Sequence, residues 1–167
     1  MIISADGRGR ASVRFVLSHP ANFIAFGFGV GLAPVAPGTF GTLLAFPIYA
    51  LAAPRLDPQQ FTLLLLAMFL AGIWACELCG RKLGVHDHGG MVWDETTAFL
   101  LVLFLTPNQP LWQAFAFLLF RLFDIFKPAP IRHFDRSIRN GAGVMLDDLL
   151  AAFYTLLCLA AWKFTFG

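Results

Sequence analysis

Charge is what this chain has least of. Only 13% of its 167 residues are Asp, Glu, Lys or Arg, against roughly a quarter in ordinary soluble domains, while 58% are hydrophobic. A solvated surface is hard to build from that ratio, and with a mean hydropathy of +0.71 the chain reads first as a membrane protein. A formal charge of +2, with no arginine-rich patch interleaved with exposed aromatics, argues against a nucleic-acid partner. Cysteine is scarce too. Cys76, Cys79 and Cys158 are odd in number and sit in or beside apolar runs, which argues against a disulfide framework.

The N-terminus, MIISADGRGRASVRF, has Arg8, Arg10 and Arg14 ahead of an apolar stretch, as a signal peptide would. His19, Pro20 and Asn22 interrupt that stretch, and no convincing small-residue cleavage site appears. Residues 1–20 therefore read as a retained, mobile polar arm, and residues 21–167 as one helical domain with no repeat or second-domain boundary.

Apolar stretches broken by Pro and Gly give the helices. Asn22 to Leu32 is short, about 16 Å as a helix at ~1.5 Å per residue, too little to cross a bilayer core of about 30 Å. Ala33 to Thr42 (APVAPGTFGT) stops it, and Leu43 to Ala53 forms a second short helix, so the pair reads as a broken or re-entrant helical hairpin. Asp57 is placed to cap the next helix with Pro58 at its first position. Phe61 to Cys79 is the clearest spanning segment. Met91 to Thr106, Leu111 to Lys127 and Val144 to Phe166 complete an all-α, membrane-embedded bundle of five or six helices, with Gly141 to Gly143 as a flexible turn.

Up-down packing of these helices brings three connections to one face: Ala33 to Thr42, Arg81 to Glu95, and Arg121 to Asp148. That face carries seven cations (Arg81, Lys82, Arg121, Lys127, Arg132, Arg136, Arg139) against five elsewhere, which favours a cytoplasmic orientation.

Where charge is rare, its placement carries information. Four of the ten acids lie between Glu77 and Glu95, and Asp124, Asp147 and Asp148 sit against other apolar segments. The stretch Gly84 to Glu95, GVHDHGGMVWDE, concentrates two histidines and three carboxylates between apolar helices. Acids in apolar segments are costly and suggest function. Asp94 with Glu95, and Asp147 with Asp148, bring four negative charges toward one face, and a hard divalent ion such as Mg2+ is the natural partner for such oxygen ligands. The plainer alternative makes these acids first-turn residues favoured by helix dipoles.

Arg121, Lys127 and Arg132 supply cations for an anion such as phosphate, although Arg121 and Asp124 could simply pair. PGTFGT adds backbone N–H groups and the Thr39 hydroxyl at a helix start. His86, Asp87 and His88 admit an acid–base role, a metal-ligand role or a purely orienting one, and zinc held with Cys76 and Cys79 is the weakest reading because of the spacing. No C-x5-R, D-x-D-x-T or P-S-G-H signature occurs, which leaves metal and carboxylate chemistry for phosphoryl transfer.

Four motifs in order, GFGVGLAPVAPGTFGT, GVHDHGGMVWDE, FRLFDIFKPAPIRHFD and GAGVMLDD, resemble those of the phosphatidylglycerophosphatase A family over roughly Asn22 to Ala160. The resemblance implies a Mg2+-dependent phosphatase of the bacterial inner membrane that converts phosphatidylglycerophosphate to phosphatidylglycerol. It implies an all-helical fold around a central helix, contact with membrane lipids, and leaves homo-oligomers open. On this sequence it falls on His86, Asp87, Asp94, Glu95, Arg121, Asp124, Lys127, Pro128, Asp135, Asp147 and Asp148. In the combined reading Asp94, Glu95, Asp147 and Asp148 hold metal, Arg121 and Lys127 hold phosphate, and His86 or Asp87 handles a proton. A phosphoaspartate on Asp124 or Asp94 is a less favoured variant. The competing class is a membrane transport or binding protein whose carboxylates form an ion or proton path; a scaffold is a third reading.

Overall fold

The computed structural model describes residues 5–6, 10–129 and 138–166. Two residues on each side, β1 (Ala5–Asp6) and β2 (Arg10–Ala11), make a minimal antiparallel ladder, and the elements after it are all helical among the described residues. The chain is all-α, as its composition suggests.

Residues expected to belong to a polar arm already pack. In α1 (Val13–Leu17), Ser12 Oγ accepts from the Phe15 N–H at 3.1 Å, and Phe15 and Val16 are buried. Pro20 opens α2 (Pro20–Ala25), where its missing N–H costs nothing. The single short helix expected through Leu32 is in fact broken after α2. A 3-10 segment (Gly27–Leu32) comes next, with Phe28 and Gly29 at φ 60° and 100°. Left-handed backbone suits a glycine-rich GFGVG run, and the Phe28 ring is held there against Trp93, centroids 5.4 Å apart and nearly perpendicular.

The next helix, α3 (Pro37–Ala52), starts six residues earlier than the sequence reading. PGTFGT is its first turns rather than a loop, because Pro37 is accepted at the first helical position. Asp57 caps α4 (Pro58–Leu83) as expected. Its Oδ1 accepts from Gln60 N at 2.9 Å, and Gln60 Oε1 accepts from Asp57 N at 3.1 Å, a reciprocal box. Gly84, at φ 74°, ends it. Then come α5 (Trp93–Leu105), α6 (Pro110–Phe126) and α7 (Gly141–Phe166); the last begins at the residues read as a flexible turn. Asn140 caps that start by accepting from Gly143 N at 3.0 Å.

The centre of the bundle is α5. It is buried along nearly its whole length and packs on α3, α4, α6 and α7, while α7 also packs on α4 and α6. Phenylalanines fill the interior: Phe61 stacks on Phe104 at 4.4 Å, and Phe99 meets Phe46, Phe117 and Phe120. Helices α4 and α7 are long and apolar enough to cross a membrane, by length and composition. At 26 residues each, they measure about 39 Å at ~1.5 Å per residue. Leu63, Leu66 and Leu70 of α4, and Leu111, Leu118 and Leu122 of α6, recur at helical spacing and are exposed.

The alternation of helix directions is what assembles the polar end of the bundle. There the starts of α3, α5 and α7 meet the ends of α4 and α6, in the convergence expected from the connections.

Candidate active site

The first turn of α5 is set before its acids can act. Val92 N donates to the Ala25 carbonyl at 2.8 Å, tying the turn to α2. The indole Nε1 of Trp93 donates to the Met68 carbonyl of α4 at 2.9 Å. Gly72 makes room for that ring: a Cβ there would stand 2.9 Å from Trp93 Cδ1 and 2.7 Å from Met145 Cε of α7. Trp93 thus wedges three helices at a fixed distance, one residue before Asp94.

From this anchored turn Asp94 and Glu95 face Asp148 of α7. One carboxylate oxygen of each lies within 4.8 Å of the other two, the only such group of potential metal ligands among the described residues. At that spacing each like-charged pair costs on the order of 3 kcal/mol at an effective dielectric near 20. Among the described residues Arg121 is a cation that meets this group, 3.8 Å from Glu95 Oε1. Asp94 Oδ1, Glu95 Oε2 and Asp148 Oδ2 are buried and have no hydrogen-bond partner among the described residues. Orphaned buried oxygens are rare in folded proteins and call for an explanation. Three carboxylates this close, each with such an oxygen, fit a hard cation with oxygen ligands.

Cations of the chain line the same end. Arg121 Nη1 pairs with Asp124 one turn along α6, lies 3.8 Å from Glu95 Oε1 and donates at 3.4 Å to Thr42 Oγ1. Thr42 in turn donates to the Gly38 carbonyl at 2.9 Å. Arg121 Nε, also buried, has no partner among the described residues, so one donor of the guanidinium is uncommitted. Asp124 interacts with both Glu95 and Asp148. Backbone approaches this cluster closely. A Cβ on Gly38 would collide with Glu95 Oε1 and stand 3.2 Å from Arg121 Nη1 and Nη2.

The remaining sequence candidates fall in distinct places. Asp147 stands apart from the three-carboxylate group: its Oδ2 pairs with Lys127, which leaves α6 in a left-handed conformation at φ 40°, and its Oδ1 accepts from Asp148 N at 3.0 Å. Adjacent residues on a helix point about 100° apart, so one Asp of the DD pair faces the cluster and the other faces Lys127. Thr39 is half-buried in the first turn of α3, and its N–H is already bonded to the Ala36 carbonyl at 3.0 Å. His86 and Asp87 are exposed on the loop after α4, with Asp87 in electrostatic range of Asp94. His88 orients that loop: its Nδ1 accepts from Gly90 N at 3.0 Å and its carbonyl from Met91 N at 2.7 Å. No Cys–His group suited to zinc forms among the described residues. Arg132 and Asp135 lie outside the described residues.

Three contributors escaped the sequence reading. Trp93 and Gly38 lie inside motifs singled out for other residues, and only their packing marks them. Glu77 of α4 accepts from the first N–H of α7, Gly141 N, at 2.7 Å, a cap delivered across 64 residues.

The family model described as Phosphatidylglycerophosphatase A matches residues 23–163, which takes in all of these side chains. The chain belongs to the phosphatidylglycerophosphatase A family. Membership makes it a phosphoric monoester hydrolase. Among its relatives, a phosphatidylglycerophosphatase A of Escherichia coli K12 is 40% identical over 142 residues, covering 84% of this chain and 82% of the relative. One from Haemophilus influenzae is 40% identical over 149 residues, 89% of this chain and 91% of the relative. A Bacteroides thetaiotaomicron protein, named as a candidate phosphatidylinositol-3-phosphatase, is 38% identical over 151 residues, 86% of this chain and 94% of its own. No solved structure matches the chain.

Proposed function

We propose that this chain is a Mg2+-dependent lipid phosphatase that hydrolyses phosphatidylglycerophosphate to phosphatidylglycerol and inorganic phosphate at the bacterial inner membrane. The observation that carries the reading is the close group of three carboxylates, Asp94, Glu95 and Asp148, each with one buried oxygen unpartnered among the described residues, with the Arg121 guanidinium beside it. The names of the family and of its two 40% identical relatives supply the substrate. Lengths and compositions of α4 and α7, together with the seven cations assigned to the site end from the sequence, support a membrane setting with the site on the cytoplasmic side.

Each residue has a separate task. Asp94, Glu95 and Asp148 would hold the magnesium, while Asp147 holds Lys127 at the edge of the site. Bound there, the ion supplies Lewis acidity, offsetting charge on the phosphoryl oxygens and favouring deprotonation of the attacking water. Arg121 neutralises the phosphate, using the Nε donor that has no partner among the described residues and leaning on Asp124 to hold its plane. The reaction forms a bond from a water oxygen to phosphorus and breaks the bond from phosphorus to the glycerol oxygen. The departing alkoxide needs a proton, a task we assign to His86 or Asp87, both exposed on the loop after α4.

Phosphate release by the purified full chain from phosphatidylglycerophosphate, with Mg2+ and after chelation, tests the reading. Activity is expected to require the ion and to fall by about three orders of magnitude in Asp94→Asn with helicity intact. Undiminished turnover in that variant, or turnover indifferent to chelation, would sink it.

A further inference from the structure

Near the carboxylate group, and with no part in the hydrolytic step apart from His86, lies a hollow with charged side chains in its lining. It has a volume of about 220 Å3 and is lined by Cys76, Gly80, Arg81, His86, Arg139 and Asn140, between the end of α4, the loop after it and the residues leading into α7. Its floor adjoins the site: buried Cys76 interacts electrostatically with Asp94, Asp87 and Glu95. One candidate proton donor, His86, sits in its wall.

The charge in the hollow is unbalanced toward the positive. Glu77, its one acid, is spent twice over. Its Oε1 accepts from Arg81 Nε at 2.8 Å and meets Nη2 at 2.7 Å, and its Oε2 holds Gly141 N at 2.7 Å. Arg81, largely exposed, meets Glu77 through Nε and Nη2, which leaves Nη1 uncommitted among the described residues. Arg139 has neither a hydrogen bond nor an ion pair among the described residues, although it faces the same space. Two guanidinium groups facing one space suit a phosphate oxyanion, since arginine offers paired planar donors that match it.

We infer that this hollow binds the phosphodiester of the lipid headgroup, so that the substrate is gripped by both of its phosphates, one in each compartment. The inference rests on the phosphatase reading and extends it. A substrate of this class carries a terminal monoester and, across a glycerol, a diester that stays with the lipid. The monoester goes to Asp94, Glu95, Asp148 and Arg121; the diester goes to Arg81 and Arg139. His86, between the two, then faces the glycerol oxygen that leaves. Selectivity comes from the arrangement, because a lipid with only a terminal monoester leaves the arginines unpaired.

The test uses two small inhibitors of phosphatidylglycerophosphate turnover by the full chain. Glycerophosphoglycerol carries the diester without acyl chains, and inorganic phosphate mimics the monoester alone. In Arg139→Gln, and further in Arg81→Gln with Arg139→Gln, KM is expected to rise and inhibition by glycerophosphoglycerol to weaken, each by about ten-fold or more. Inhibition by inorganic phosphate and kcat stay within about two-fold, and Arg139→Lys recovers part of the loss. Parallel weakening of both inhibitors would mean a general field or a bilayer-surface effect and would overturn the proposal. So would unchanged constants, or a wild-type chain indifferent to glycerophosphoglycerol. Failure of the wild type to hydrolyse the lipid at all would instead strike the phosphatase reading.

Discussion

Helices α4 and α5 both begin with acid, and the two beginnings have opposite fates. At α4 the acid is satisfied locally: the Asp57 carboxylate takes the Gln60 N–H, Gln60 Oε1 accepts from Asp57 N, and the whole turn is open to water. At α5 the acids are turned inward against a third carboxylate from another helix, and an oxygen on each is left without a donor among the described residues. Glu77 resembles Asp57, although it caps a different helix from the one it belongs to. An acid near a helix start is therefore not informative by its position alone. What separates the two kinds of acid is whether the protein itself satisfies the charge.

That distinction can be broken experimentally, and the largest effect should come from the unsatisfied set. Removing like charge from a crowded group costs a folded chain little, whereas removing a ligand abolishes metal-linked stability. Asp148→Asn is expected to leave the Mg2+-free protein as stable as the wild type or more so. Calorimetry should also show it losing the Mg2+-dependent stabilisation, about 2.7 kcal/mol at a free ion concentration near 100 times Kd. A variant that unfolds earlier without Mg2+ yet keeps the full response to the ion would put Asp148 with the caps. Next in size is Gly38→Ala, whose methyl group meets Glu95 Oε1 and the Arg121 guanidinium. Overpacking there should cost about 1–3 kcal/mol in chemical denaturation and lower kcat more than it raises KM. Smallest is Asp57→Ala. Losing one exposed cap should cost about 1 kcal/mol and leave turnover unchanged, and a large loss of activity would show that the two ends of α4 communicate.

Much of the framework was legible because each helix advertises its limits. Pro58 after Asp57 marks a start through backbone chemistry that needs no tertiary information, whereas α4 runs on past the Cys79 end read from the sequence to Leu83 before Gly84 stops it, and Pro110, read as part of a turn, opens α6. The convergence of motifs came from helix order alone. Helix starts were less legible where glycine was involved: Gly38, Gly41, Gly141 and Gly143 read locally as breakers, yet they lie inside helices because neighbouring groups leave no room for a side chain. The partition of Asp147 from Asp148 was not legible at all. It depends on the rotation of α7 about its own axis, which is settled by Met145 against Gly72 and by Glu77 at Gly141. The Arg121–Asp124 pair and the cation Lys127 were visible on one helix, but the groups they meet on α3, α5 and α7 lie out of reach of any local pattern.

The glycines around the cluster also bear on how the site could diverge. One wall is backbone pressed on side chain with no spare volume: Gly38 on Glu95 and Arg121, Gly41 on Val92, Gly72 on Trp93 and Met145. The opposite wall, from Arg81 through the loop at Gly84 to His86 and across to Arg139, is open to solvent and bounded by side chains that can lengthen, shorten or change charge. Substitution at these exposed side chains meets no such clash, so the scaffold can change there while the packed glycines keep α3, α4, α5 and α7 in place.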